Sequence, residues 1–150
     1  MLLETLKKLF KRDLEQLKRE IASYTNETKI WIIDKNISNS AGNLCLHLIG
    51  NLNTYIGGEL GKTGYIRNRP LEFSDKDVPR TKLIASIEET MAVVLNTLDN
   101  TKEEQLKQEY PILVFEEKIS TGFFLVHLTT HLTYHLGQIN YHRRLLDTDY

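Results

Sequence analysis

The sequence contains a single cysteine, Cys45, in 150 residues. One thiol cannot form an intramolecular bridge, so packing must hold the fold, and a reducing cytoplasm suits such a chain. Three prolines and eight glycines are too few for a turn-rich all-β domain or a disordered chain. No apolar run reaches the roughly 18 residues that a bilayer-crossing helix needs. The opening MLLETLKKLFKRDLEQLKRE mixes acids and bases and lacks the unbroken apolar segment of a secretory signal. Charge of one sign is not in excess either: 19 lysines and arginines face 20 acids, leaving no surplus to neutralise a nucleic-acid backbone. These absences point to a cytoplasmic protein with neither nucleic acid nor membrane as partner. Also missing are a Gly-rich phosphate loop and a GxSxG elbow.

What is present reads as one all-α domain over residues 1–150, long enough to bury about 68–70% of its unfolded surface. Leu2, Leu3, Leu6, Leu9, Phe10, Leu14, Leu17, Ile21 and Tyr24 recur at three- and four-residue spacing and predict a first helix over residues 2–24, with Glu4/Lys8 and Glu15/Arg19 as pairs on its polar face. Ile30 to Ile33 form a short apolar segment, either strand-like or a helical turn. Ser38-Asn39-Ser40 supplies a cap for a second helix, whose stripe Leu44, His47, Leu48, Asn51, Leu52 and Tyr55 runs until Gly57-Gly58 weakens it. Residues 61–79 have no sustained periodicity and read as a long crossover. Arg67 and Arg69 within it could receive an anionic substrate or pair with Glu72 or Asp75. Ile84, Ile87, Met91, Val94, Leu95 and Leu98 mark a third helix over residues 80–100. A short polar turn follows around residues 103–108, and the last helix opens at Thr121-Gly122.

That last helix, FFLVHLTTHLTYHLGQINYHRRLL from Phe123 to Leu146, carries four of the five histidines. At about 100° per residue, placing His127 at zero puts Gln138 near 20°, His131 near 40°, His142 near 60° and His135 near 80°. This strip overlaps one border of the core-facing stripe of Phe124, Leu128, Leu132, Leu136, Ile139 and Leu146. Both ring nitrogens of a buried imidazole need partners, and several imidazoles can share one metal ion. The pair His131/His135 gains weight because His47 stands on a different apolar helix face and can supply a third nitrogen by packing. His127 could replace either member of the pair, since the spacing repeats. His142, near the helix end, reads as facing solvent or the C-terminal dipole.

Three neutral imidazoles suit a divalent cation, zinc or nickel first, with a fourth position left open. Leu128 and Leu132 occupy the places where HExxH would carry its glutamate, so the helix gives no case for a metalloprotease. Gln138 and Asn51 read as groups that orient an imidazole or a bound water. The plainer alternative is a stack of helix histidines bonded to threonines and tyrosines such as Tyr134 and Tyr141. A nucleophilic Cys45 is disfavoured, because it lies about 200° around its helix from His47.

His47 on a second helix, a long crossover, and then HLTTHLTYHLGQINYHRRLL together resemble the DinB/YfiT-like superfamily of small metal-binding four-helix bundles, over nearly the whole chain. The most specific part is H-x-x-x-H followed by Gly137-Gln138-Ile139. The resemblance implies an up-down-down-up four-helix bundle with the long crossover between helices 2 and 3, metal ligands His47, His131 and His135, and a homodimer. It also implies a small-molecule thiol and an electrophile as partners, with the metal holding the thiol as its thiolate for S-transfer. Gln138 and Asn51 would then act around the bound group, and Arg67 or Arg69 would meet a carboxylate of the thiol. A hydrolase using metal-activated water, or a non-catalytic metal-binding dimeric bundle, are the other expectations.

Overall fold

A computed structural model, describing residues 1–148, is all-helical, with no strand among those residues. Five α-helices run in the order α1 (Leu2–Ser23), α2 (Ala41–Leu52), α3 (Arg69–Ser74), α4 (Arg80–Asp99) and α5 (Thr121–Leu146). The four long ones form the bundle: α1 packs against α4 and α5, and α2 packs against the same two. Helix α3 lies on α2, and that placement matters for the site.

Each long helix forms where an apolar stripe finds a partner. Along α1, Leu3, Leu6, Phe10, Leu14, Leu17 and Ile21 are buried, each stabilising the folded state by about 1.5–3 kcal/mol relative to exposure. They meet Leu83, Ile87, Val94 and Leu98 of α4 and Phe124, Leu128, Leu132, Leu136 and Ile139 of α5 in one core. Ser40 caps α2 by accepting from the Asn43 amide, and Ser120 caps α5 by accepting from the Phe123 amide, which satisfies donors that the first turn leaves free. The start of α2 sits against Trp31, whose ring carbons lie 2.6 Å from where a Cβ on Gly42 would be. Only glycine permits that approach.

Several expectations need correcting. Of the two readings of the Ile30–Ile33 segment the helical turn holds for Ile30 and Trp31, in a 3₁₀ turn over Glu27–Trp31, and the strand does not. Glycines 57 and 58 do not end the second helix; its backbone widens into a π-helical turn, Asn53–Gly58. The crossover is not wholly irregular, because α3 interrupts it, capped by Asn68 with Pro70 in its first turn. On α1, Lys7 rather than Lys8 pairs with Glu4 and also reaches Asp99 of α4, and Arg19 bonds Gln16 rather than Glu15. A polar seam joins α1 to α5: Glu20, 3% exposed, accepts from Asn140 and Arg143 at 2.7 and 2.8 Å, and Asp13 accepts from Thr133 at 2.7 Å. Among the described residues no helix is long and apolar enough to cross a membrane.

Candidate metal centre

Helix α2 contributes His47, and α5 contributes His131 and His135 one turn apart. The packing of α2 on α5 brings their rings together, with centroids 5.1 Å (His47/His131), 5.3 Å (His47/His135) and 4.6 Å (His131/His135) apart. One nitrogen from each lies within 4.8 Å of the other two, so the three can hold one metal ion.

Hydrogen bonding sets the tautomers. A carboxylate only accepts, so the 3.1 Å contact between His47 Nδ1 and Glu72 Oε1 favours the proton on Nδ1 and a lone pair on Nε2; Arg67 Nη2, which only donates, stands farther from Nδ1 at 3.4 Å. Likewise His135 Nδ1 donates to Gln138 Oε1 at 2.7 Å, freeing the other nitrogen. His47 Nε2 faces His131 Nε2 at 3.2 Å. Two nitrogens each about 2.0–2.1 Å from a tetrahedral ion would stand about 3.3 Å apart, so this spacing fits shared coordination. His131 Nδ1 is buried with no partner among the described residues; an ion on Nε2 would leave it so, and what speaks for an ion is the convergence of the three lone pairs. The donor set therefore fits a divalent cation.

Burial favours the neutral form of two of the ligands, His131 and His47. Burial pushes the His131 imidazolium down to about 4, helped by the neighbouring His135, His47 and His127. Burial also lowers His47, against the opposing pull of Glu72. Neutral imidazoles need shed no proton to bind a metal near pH 7. Glu72 is 7% exposed and receives two bonds from Arg67, Nε to Oε2 at 2.9 Å and Nη2 to Oε1 at 3.0 Å. Its negative charge is spent on that guanidinium, so the centre as a whole carries no net charge.

Glycine makes room for this support. A Cβ on Gly50 would collide with the Glu72 carboxylate, so the bare backbone of α2 is what lets α3 press Glu72 in behind His47. In the sequence Glu72 stands out only as a partner for arginine. A six-residue helix is too short for periodicity to reveal it, and Gly50 amid an apolar stripe was the one available sign.

Beside the triad is a cavity of about 180 Å³. It is lined by His47, His131 and His127, by Asn51, Tyr55, Arg67 and Arg69, and by the apolar Val114, Phe124 and Leu128. Asn51 is 7% exposed, its Oδ1 has no partner, and it touches neither supporting bond of the triad. Arg69 has no acidic partner among the described residues; its guanidinium lies 5.4 Å from the Phe73 ring centroid. His127 stays in the cavity wall, stacked on Phe124 at 5.9 Å and edge-on to Phe115 at 4.9 Å. His142 departs from expectation. It is buried at the far end of α5, where Tyr24 and Ile32 cover it, with Nδ1 accepting from the Tyr24 hydroxyl at 2.6 Å and Nε2 donating to the Ile32 carbonyl at 2.8 Å. A larger cavity of about 450 Å³ lies between residues 59–63 and the end of α4. No histidine lines it, and size alone does not identify the site.

A family model described as "Protein of unknown function (DUF1572)" matches residues 1–150. The chain belongs to the DUF1572 family. No curated protein matches it. This DUF1572 chain is also similar to a solved structure described as a conserved protein of Enterococcus faecalis, with a TM-score of 0.74, 18% identity and 95% of each chain covered. At that identity the likeness shows a shared fold and nothing about chemistry.

Proposed function

We propose that this protein is a metal-dependent enzyme of the DinB/YfiT-like type, a thiol S-transferase acting on small electrophiles. One observation carries the reading: three imidazoles converge beside an open cavity, and the carboxylate that supports His47 is already paired with Arg67. A zinc or nickel dication held there would keep its charge undiminished, and such an ion lowers the pKa of a coordinating thiol and favours its thiolate. The chain's own residues do the rest. Glu72 fixes the His47 ring, Gln138 fixes His135, and Arg67 holds Glu72 in place. In the transfer the thiol proton leaves to solvent, the sulfur forms a bond to carbon, and the leaving group departs with the bonding pair. The test is turnover of a chromogenic aryl halide with a cysteine-derived thiol by zinc-loaded protein. Rates should require both metal and thiol and fall at least a hundredfold in His131→Ala; an unchanged rate in that variant would overturn the reading.

Two further parts of the reading concern setting. The free Cys45 is buried and its thiol is pushed up to about 12 by burial, compatible with a cytoplasmic protein that needs no oxidation. The outward face of α5 supports a homodimer. Phe123, Val126, Tyr134, Tyr141 and Leu145 are exposed along it, and a Cβ on Gly137 would meet nothing within 4 Å. A glycine in mid-helix costs up to about 1 kcal/mol relative to alanine, and the chain itself gives no steric reason for it. Close approach of a second copy's α5 supplies one.

A further inference from the structure

The larger cavity, about 450 Å³, shares no lining residue with the one beside the histidines. Residues 59–63 after the π-helical turn, the last two turns of α4, the 3₁₀ turn Glu103–Lys107 with the residues that follow it, and the first residue of α5 all contribute to it. Its volume falls within the roughly 300–1,000 Å³ of small-molecule sites. Two of its side chains are buried and unspent. Thr97 is 6% exposed and Thr121 4%, and neither hydroxyl makes a hydrogen bond with a described residue. A threonine inside a helix ordinarily donates to a carbonyl one turn back, as Thr90 does to Ser86. Thr97 does not. Gly61 leaves it uncovered, since a Cβ there would lie 2.5 Å from Thr97 Oγ1 and 2.8 Å from the Gly57 carbonyl oxygen. Buried polar groups without partners are costly, and a ligand that bonds them removes that cost.

The rest of the wall narrows the ligand. The Gln108 carboxamide makes no hydrogen bond with a described residue, and that of Asn96 meets only Asn100, at 3.5 Å. Glu59 and Lys62, of opposite sign, both line the cavity, and Glu109 is paired with Lys118 at 3.5 Å, so the wall favours neither an anion nor a cation. No aromatic ring lines it, which leaves a planar heterocycle nothing to stack on. From these features we infer that the cavity binds a neutral polyhydroxylated small molecule, a monosaccharide or a cyclitol. Each hydroxyl of such a ligand both donates and accepts, which matches a wall of carboxamides and threonine hydroxyls. The size agrees: about 450 Å³ holds about fifteen water-sized groups at roughly 30 Å³ each, and a hexose has about twelve non-hydrogen atoms. This site goes beyond the metal reading and stands without it.

The side-chain amide signals of Asn96 and Gln108 in the nitrogen-15 spectrum of the full chain supply the test. D-glucose, D-galactose and D-mannose probe for a sugar, myo-inositol for a cyclitol, and glucosamine and glucose 6-phosphate add one charge of either sign. At least one neutral compound should shift both signals and saturate below about 10 mM, and neither charged compound should bind more tightly than the best neutral one. Thr97→Val and Thr121→Val remove only a hydroxyl. Each should weaken that binding about fivefold, as for the loss of one hydrogen bond, without lowering the melting temperature, because neither hydroxyl is bonded within the chain. No saturation by any neutral compound at about 10 mM, tighter binding of a charged one, or an affinity unchanged in either threonine variant would overturn the inference.

Discussion

At the scale of single residues, the centre depends on which nitrogen of each ring carries the proton. Glu72→Gln keeps the shape behind His47 but removes the charge that favours Nδ1 as the donor. Metal affinity should fall about 10–100-fold, as for other outer carboxylates of ligating histidines, with competition against a chromophoric chelator as the measurement. His131 makes the pH dependence predictable. Its folded value of about 4 lies below the ordinary 6.5, so between those limits the unfolded chain binds a proton that the folded chain does not. The stability this contributes is complete above pH 6.5 and is lost as pH falls toward 4. Urea midpoints of metal-free protein should decline from pH 7 to pH 5, less steeply in His131→Ala, which lacks the group. A midpoint independent of pH in this range would contradict the burial of that imidazole. His142, lowered by burial against the pull of the Ile32 carbonyl, adds to the slope in the same direction, while His127 plays no part in the prediction.

At the scale of elements, the site exists because three helices meet where one of them is thinned. Gly50→Ala adds a single methyl group to α2, a change that in a free helix would be favourable by up to about 1 kcal/mol. Here the methyl displaces Glu72, so the variant should weaken metal binding at least tenfold with little loss of helicity by circular dichroism. If affinity were unchanged, α3 would be shown to have no hold on the centre. The elements differ in how far the sequence revealed them. Helices α1, α4 and α5 were legible because each repeats an apolar stripe over about four turns or more, which random spacing rarely sustains. The pairing of His131 with His135 was legible for the same reason, and His47 because an imidazole stood among leucines. Helix α3 escaped notice: with six residues, a proline in its first turn and one buried position, Glu72, it has no period to read. The interior place of His142 escaped too, since the Tyr24 hydroxyl and Ile32 carbonyl that satisfy it come from segments more than 100 residues away.

For the whole molecule, the proposed dimer would bury the outward face of α5 and double the 17.4 kDa chain. A stable interface buries about 800 Å² per partner, more than one stripe of a single helix provides, so the rim of α1 beside it must join. Tyr141→Glu places a charge in that face, 63% exposed in the single chain, and should shift the mass in sedimentation equilibrium from twice 17.4 kDa to one chain without lowering helicity. A monomer at all concentrations in the unmodified protein would dispose of the dimer while leaving the metal centre untouched. Metal binding, in turn, should be felt by the entire fold. His47 lies 84 residues before His131, so an ion bridging them closes α2 onto α5 and binds the folded chain far better than the unfolded one. Free metal at about a hundred times its dissociation constant then adds about 2.7 kcal/mol. For a chain of this length each kcal/mol moves the midpoint by about 2–4 °C, giving a rise of about 5–10 °C on adding zinc to chelator-treated protein. The same addition to His131→Ala should leave the midpoint within about a degree, because two remaining imidazoles on separate helices bind too weakly to shift it. An equal rise in both proteins would mean that zinc binds elsewhere, and the three histidines would lose their claim to the ion.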